Sequence, residues 1–465
     1  MKKTIKTPIL LIGLFLVSIF IVGIKPINAT PEATTTLPTE IKIGGVFPIT
    51  GRPEAGRDRR DAFLMAVEEI NNQTGSSRIL PVGVNLTANV QDDLNTPEGA
   101  QAAADALIAW EADIVTGTSG SGNSMTMASA FNAYKIPQIS YASSSPALSD
   151  RTLYPYFMRV CASDAWQGVA ISDLVQAFNW TKGAVIHTSD AYGTGLVEVF
   201  KDDFEDAGGT VVTDQKFDAG ATEVGTQIQA LKDADVEFIL GNFIDKDAAT
   251  VMKEAKSLGL TNIPWITTDG WSTTATFADE DDVKAAMQKS IGTTPAPLTG
   301  AGYAVFNTSW FSTDWYHLAG PKVSQDDGTA FNSYAPLSYD AVFVAAKGLF
   351  AADTTEGDAL LTALYAVTHE GASGSIEFDA LGEVTGRYDF VQLIDKTYTT
   401  FGEWKETSTF VDGSLTLQDG SEWEIKNDII TNTKGPGTGA PGFEILSAIF
   451  SIGLLIIVVR RKRRK

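Results

Sequence analysis

Two short stretches rich in hydroxyl groups lie close together in the sequence, and each follows a predicted β-strand. Residues 117–123 are only glycine, threonine, serine and asparagine, and residues 142–145 read Ala-Ser-Ser-Ser. In a parallel sheet, both loops leave the same carboxyl edge of their strands. Their hydroxyls and free backbone N–H groups then converge near helix N-termini, where a small anion such as a carboxylate binds well. We therefore predict half of a ligand cleft at this edge.

Strands and helices alternate on both sides of these loops, which predicts the α/β layers that position them. The first predicted strands and helices are 40–48, 57–72, 83–90 and 96–110, where Phe63, Val67 and Ile70 fall on one helical face. The alternation restarts after residue 160, with strands at 183–187, 236–241 and 264–268.

This pattern predicts two doubly wound parallel-sheet lobes. We assign residues 40–160 and 300–385 to lobe I, and residues 161–299 and 386–430 to lobe II. Three crossovers, near residues 161, 297 and 386, should join the lobes.

Composition limits the classes of function. The 465 residues suit two or three domains, and a formal net charge of −22 argues against nucleic-acid binding. The single cysteine, Cys161, excludes an internal disulfide, and the spacing of the three histidines supports neither a metal site nor a Ser/His/Asp triad. We expect no enzymatic activity and no cofactor.

Both ends carry targeting patterns. Residues 1–29 have three lysines within the first six positions and then an apolar run, which predicts a signal peptide; a retained signal anchor is the alternative. Residues 431–442 are a predicted Gly/Pro/Thr linker, and the 17 residues 443–459 form a mostly apolar segment, at the short limit for a membrane span. The basic tail 460–465 belongs on the cytoplasmic side. We expect the folded part on the extracellular face, anchored by the C-terminal segment.

Several segments carry a resemblance to a known family. IKIGGVFPITG (41–51), PQISYASSSPALSD (137–150), AYGTG (191–195), TTDGW (267–271) and SYDAVFVAAKGL (338–349) stand in this order. With them the chain resembles the type I periplasmic solute-binding proteins of the leucine/isoleucine/valine-binding family. These are branched-chain amino acid ABC transporter substrate-binding proteins, whose fold also forms metabotropic glutamate receptor ectodomains. The resemblance covers about residues 40–400. It implies two lobes that close by hinge motion over an amino acid.

The resemblance also implies ligand contacts from both lobes, at Ser121, Ala142, Ser143, Ser144, Tyr192, Phe243 and Asp269. Ser121 and Ser144, with backbone around Ala142, would hold the α-carboxylate. Asp269 would pair the ammonium, and Tyr192 would cover the ligand. Phe243, or the adjacent Asn242, is expected as another cover residue.

One position departs from the family pattern. The family often has Tyr-Gly where this chain has Gly56-Arg57. Arg57 would then either reach an acidic ligand side chain or face solvent.

The C-terminal Pro441-Gly442-Phe443, with its apolar helix and basic tail, resembles the PGF-type sorting signals of archaeal surface proteins. That resemblance implies replacement of the segment by a lipid anchor; a permanent membrane anchor is the alternative.

The expected function is capture of an amino acid or similar zwitterion, which is handed to a membrane ABC permease. A ligand-sensing ectodomain is the alternative; the six residues after the apolar segment are too few for a signalling domain, which favours import. A hydrolase is disfavoured because no nucleophile and base are matched.

Overall fold

A computed structural model describes residues 35–271, 287, 290–295, 301–310, 334–394, 397–406, 413–417, 423–426 and 429–432. The predicted signal peptide, most of the linker, the apolar C-terminal segment, the basic tail and the crossover near 297 lie outside these residues. From Leu37 onward the described residues belong to one compact unit. Within the described ranges, no helix is both long enough and apolar enough to cross a membrane.

The first lobe begins with five strands and three helices: β1 (Glu40–Phe47), α1 (Pro53–Asn72), β2 (Asn85–Asp92), α2 (Pro97–Ala109), β3 (Ile114–Thr116), α3 (Ser121–Asn132), β4 (Gln138–Ser140) and β5 (Phe157–Arg159). The strands are all parallel, in the order β2-β1-β3-β4-β5. The loops after β3 and β4 therefore leave the same edge of the sheet, as the sequence predicts.

The second lobe continues with four helices and five strands: α4 (Asp164–Ala177), β6 (Lys182–Thr188), α5 (Ala191–Asp206), β7 (Thr210–Phe217), α6 (Gly225–Lys232), β8 (Phe238–Asn242), α7 (Asp245–Ser257), β9 (Trp265–Thr267) and β10 (Ile291–Pro295). These five strands pair parallel with one another. The cap of α5 is a carboxylate: Asp190 Oδ1 accepts from the N–H of Gly193 at 2.8 Å.

The chain then returns to both lobes. The remaining elements are α8 (Ala301–Trp310), α9 (Ala335–Ala352), α10 (Gly357–Tyr365), β11 (Thr368–Gly371), β12 (Gly374–Glu377), β13 (Arg387–Ile394), β14 (Thr397–Glu406), β15 (Gly413–Leu417), β16 (Trp423–Lys426) and β17 (Ile429–Asn432). Helix α9 packs on α1, β3 and β4, in the first lobe. It is buried on nearly all sides, which explains its largely apolar sequence.

The second sheet has eight strands in the order β15-β14-β13-β10-β9-β8-β6-β7. Strands β13, β14 and β15 pair antiparallel, so an antiparallel edge extends an otherwise parallel sheet. The α/β fold with two parallel-sheet lobes agrees with the prediction.

Two connections between the lobes run side by side. Ala162, just after β5, forms a parallel bridge with Val384, just before β13. Each lobe has its own apolar packing, with one large cluster in the first lobe and two in the second. In the first lobe the ring of Phe47 lies 5.5 Å from Phe63 and 5.6 Å from Tyr141.

Candidate functional site

The two hydroxyl-rich loops of the first lobe bond to each other. Ser121, the first residue of α3, accepts at Oγ from the backbone N–H of Ser145, at 3.2 Å. Ser144 Oγ donates to Asp164 Oδ2 at 2.9 Å. All four side chains are buried. The structure therefore brings Ser121 and Ser144 to the same edge of the sheet, and it adds a carboxylate that our sequence analysis missed.

Ser143 and Ala142 shape the second loop from within. Ser143 Oγ donates to the carbonyl of Thr118 at 3.0 Å, and its N–H donates to Ser140 Oγ at 2.9 Å. The N–H of Ala142 lies 3.3 Å from the same Ser140 Oγ. These bonds give Ser143 a role in holding the loop.

A buried arginine hydrogen-bonds both the loop of residues 142–145 and a residue beside the crossovers. Arg159, at the end of β5, donates from Nη1 to the carbonyls of Ser143 and Ser145, at 3.0 and 2.9 Å. Its Nε and Nη2 bond the two oxygens of Glu383 at 2.6 and 2.8 Å. Because Glu383 adjoins the bridged Val384, one guanidinium links the loop to both connections.

Asp269 forms a contact between the lobes. It follows β9 in the second lobe, and its Oδ1 accepts from the Tyr192 hydroxyl at 3.1 Å. Its Oδ2 accepts from the hydroxyl of Tyr334, which precedes α9 in the first lobe. Burial, and then the charge of Asp269, raise the pKa of both tyrosines well above the ordinary value. Both hydroxyls therefore stay protonated and donate.

Asp164 is a second carboxylate at this place. It opens α4, directly after the first crossover, and is fully buried. Its Oδ1 has no hydrogen-bond partner among the described residues. Burial, and then the charge of Asp269, raise the pKa of Asp164 well above its usual range. A cation between these carboxylates would relieve both costs.

A buried cation lies at another part of the same edge. Arg57 is exposed on α1, whereas Arg59 is 2% exposed. Arg59 Nη1 donates to Ser119 Oγ at 2.7 Å, and its guanidinium lies 5.7 Å from the ring of Tyr141 and 5.0 Å from that of Tyr334. Burial, and then the charge of nearby Arg52, lower the pKa of Arg59.

Phe243 and Asn242 lie behind the second-lobe loops. Phe243 is fully buried, and its ring lies 4.7 Å from that of Trp271 in the core. Asn242 Nδ2 donates to the carbonyls of Tyr192 and Gly193, at 3.1 and 3.0 Å. Asn242 thus supports the start of α5, and the Phe243 ring packs in the core instead of covering the cleft.

The arrangement is suited to binding a small zwitterion. Hydroxyls and the N-terminus of α3 lie beside two carboxylates, with tyrosine hydroxyls from both lobes. Among the described residues, no group of three or more His, Cys, Asp and Glu side chains could hold a metal ion.

Known proteins are similar to this chain in sequence and in fold. The chain is 24% identical to metabotropic glutamate receptor 4 of Macaca fascicularis, over 79% of this chain and 49% of that one. It is 27% identical to metabotropic glutamate receptor-like protein E of Dictyostelium discoideum, over 63% and 37%. The chain thus spans about half the length, or less, of these relatives.

Its structure is similar to a leucine-binding protein LivK of Thermotoga maritima, with a TM-score of 0.66 and 19% identity, over 78% of this chain and 98% of that one. That likeness shows the fold, with the two lobes of a type I periplasmic binding protein. Residues 58–396 match the family described as receptor family ligand binding region. The chain therefore belongs to that ligand-binding family.

Proposed function

We propose that the chain binds an amino acid, or a similar small zwitterion, between its two lobes. The observation that carries this proposal is the convergence of Asp164, Asp269 and Tyr334, because it joins carboxylates and a hydroxyl donor from both lobes. Asp164 is fully buried and Asp269 is half-buried, and a cation between them lowers the cost of keeping both carboxylates ionised. An α-ammonium supplies one.

The carboxylate end of the ligand would lie against the first-lobe loops. Ser121 stands at the N-terminus of α3, where backbone N–H groups point outward, and Ser144 lies beside it. The ammonium would bond Asp164 Oδ1 and Asp269. Closing the lobes removes water, which strengthens each of these charged contacts.

Arg59 favours a ligand with a second anionic group. A guanidinium is a strong partner for a carboxylate, and this one is held by Ser119 and two aromatic rings. The curated relatives are named for glutamate, whose side chain carries such a group. We infer a preference for acidic amino acids over leucine-like ones, with Arg59 in the role that the sequence suggested for Arg57.

Import and sensing are the two uses of such binding. We propose that the chain acts on the extracellular face, held there by segment 443–459 or by a lipid in its place, and delivers its ligand to an ABC-type permease. The likeness to LivK along nearly its whole length supports this use. The receptor names of the relatives support sensing as the second candidate.

Calorimetry of the purified chain with the twenty amino acids tests the binding proposal. At least one should bind, and Asp269→Ala should raise its Kd by about tenfold or more, as expected for loss of a charged partner. Ser129→Ala is the control, because Ser129 is exposed on α3 and its hydroxyl donates to the Met125 carbonyl of the same helix. An unchanged Kd for Asp269→Ala would overturn the site, and no binding by any amino acid would overturn the function.

Three further measurements test the finer proposals. Aspartate or glutamate should bind more tightly than leucine, and Arg59→Met should remove that difference; tighter leucine binding by the wild type would contradict the role of Arg59. Uptake of labelled ligand by cells should fall when the chain is deleted. Unchanged uptake would favour sensing, and digestion of the chain by protease added to intact cells would support its location.

A further inference from the structure

A second contact between the lobes lies near Arg59. Arg52 Nη2 is 3.1 Å from Asp245 Oδ2, across 193 positions of sequence. Arg52 lies between β1 and α1 of the first lobe, and Asp245 opens α7 of the second. This ion pair can form only when the two lobes are close together.

Each partner is joined to an element that carries site residues. The carbonyl of Arg52 accepts from the N–H of Gly56 in the first turn of α1, the helix that carries Arg59. The N–H of Asp245 donates to the carbonyl of Gly270, at 3.0 Å, next to Asp269. The ion pair thus connects the backbone of the two edges that face the ligand.

The local packing holds Arg52 in place. Gly56 lies so close to the loop that a Cβ there would come within 2.4 Å of the Pro48 carbonyl. The loop before α1 therefore packs closely against the helix. This packing restricts the backbone from which the Arg52 side chain extends. Its side chain is 20% exposed and that of Asp245 is 26% exposed, so solvent reaches both.

We propose that Arg52 and Asp245 are positioning residues that hold the lobes closed and thereby set how fast the ligand leaves. Neither residue contacts the ligand in this scheme. Dissociation requires opening, and opening must break the pair, so its loss speeds release with little effect on encounter. The inference rests on the proposed function only for the choice of ligand.

The kinetic test is a double-mutant cycle, read as ligand dissociation by stopped flow. Partly exposed ion pairs contribute about 0.2–1 kcal/mol, so Arg52→Gln and Asp245→Asn should each raise the dissociation rate by about 1.4- to 5-fold. The double variant should dissociate no faster than either single variant, and association rates should stay unchanged. Raising salt from about 0.02 M to about 0.5 M should speed dissociation more in the wild type than in the variants.

The matched control is Lys201→Gln. Lys201 and Asp214 form an ion pair of 2.6 Å within the second lobe, with side chains 30% and 25% exposed. Its loss should leave dissociation unchanged. Additive effects of the two single variants, or an equal effect of Lys201→Gln, would overturn the proposal.

A distance measurement tests the proposal without any ligand. Spin labels at Glu98→Cys in α2 and Glu223→Cys before α6 report on the two lobes, and both positions are exposed. Cys161 is buried, and the unsubstituted chain shows the background labelling. Arg52→Gln should shift the label distances toward longer values in the ligand-free protein. An unchanged distribution of label distances would overturn the proposed role of Arg52 and Asp245. Because this experiment uses no ligand, its result holds even if no amino acid binds and the proposed function fails.

Discussion

Replacing Asp164 with asparagine should weaken ligand binding and stabilise the ligand-free protein. One oxygen of Asp164 accepts from Ser144, and the other is buried with no partner among the described residues. Asparagine keeps the size of the side chain and removes its charge. The ligand-free fold then no longer buries a carboxylate near Asp269, whereas a bound ammonium loses a charged partner.

The magnitude follows from the one bond that is lost. A hydrogen bond to a charged group contributes about 1.5–3 kcal/mol, and about 1.4 kcal/mol corresponds to a tenfold change in Kd. We therefore expect Asp164→Asn to raise Kd by about 10- to 150-fold. The free energy of unfolding of the ligand-free variant should rise, by on the order of 1 kcal/mol at neutral pH.

The same carboxyl group predicts a pH dependence. The pKa of Asp164 in the ligand-free fold is raised above the ordinary 3.8 by burial and by Asp269. Its stabilising contribution is therefore fully present below that unfolded value and is lost as pH rises through the raised pKa. A bound ammonium favours the carboxylate, so binding should release a proton in this window, and affinity should increase with pH across it.

Calorimetry in two buffers of different ionisation enthalpy measures the released proton, and urea denaturation measures stability. Asp113→Asn is the control: burial also raises the pKa of Asp113, but its carboxylate bonds the N–H of Lys42 at the start of the first sheet. The variant should keep wild-type affinity and proton release. The reasoning is refuted if Asp164→Asn binds as tightly as the wild type, or if its ligand-free form is less stable.

Three other substitutions test the roles assigned above. Tyr334→Phe removes the first-lobe donor to Asp269 and should raise Kd by about fivefold, mainly through faster dissociation, as surface plasmon resonance can show; an unchanged rate would contradict the interlobe role. Arg159→Met leaves the buried Glu383 carboxylate only its longer, 3.4 Å ion pair with Arg151 among the described residues and should cost about 3–5 kcal/mol in urea denaturation, whereas a loss under about 1 kcal/mol would contradict the buried link. Phe243→Ala should cost about 3–5 kcal/mol of stability while the folded fraction keeps its Kd within about twofold; a large change in Kd would place Phe243 in the site.

Much of the architecture follows from local pattern. Alternating strands and helices predict the two parallel sheets, and parallel order then places every loop after a strand at one edge. This rule brings Tyr192 within 3.1 Å of Asp269, although 77 positions separate them in sequence. The antiparallel strands β13 to β15 are harder to assign, because their place in the sheet depends on pairing with β10.

The residues that our sequence analysis missed each have an ordinary local explanation. Asp164 stands at a helix start, where an acidic residue is expected anyway. Arg59 sits four residues before Phe63 on the buried face of α1, a position that periodicity alone assigns to an apolar side chain. That mismatch was the available signal, and it points to Arg59 instead of Arg57. Tyr334 became visible only through its contact with the other lobe.

The buried Arg159 also limits how this part of the chain can change over generations. Its guanidinium donates hydrogen bonds to two loop carbonyls and to one carboxylate, so no other side chain at this position can satisfy all three acceptors. A lineage that lost Glu383 first would be left with a buried, uncompensated cation, and one that lost Arg159 first with a buried anion. Related sequences should therefore keep both residues or change both together, and the carbonyls of Ser143 and Ser145 would then need a new donor.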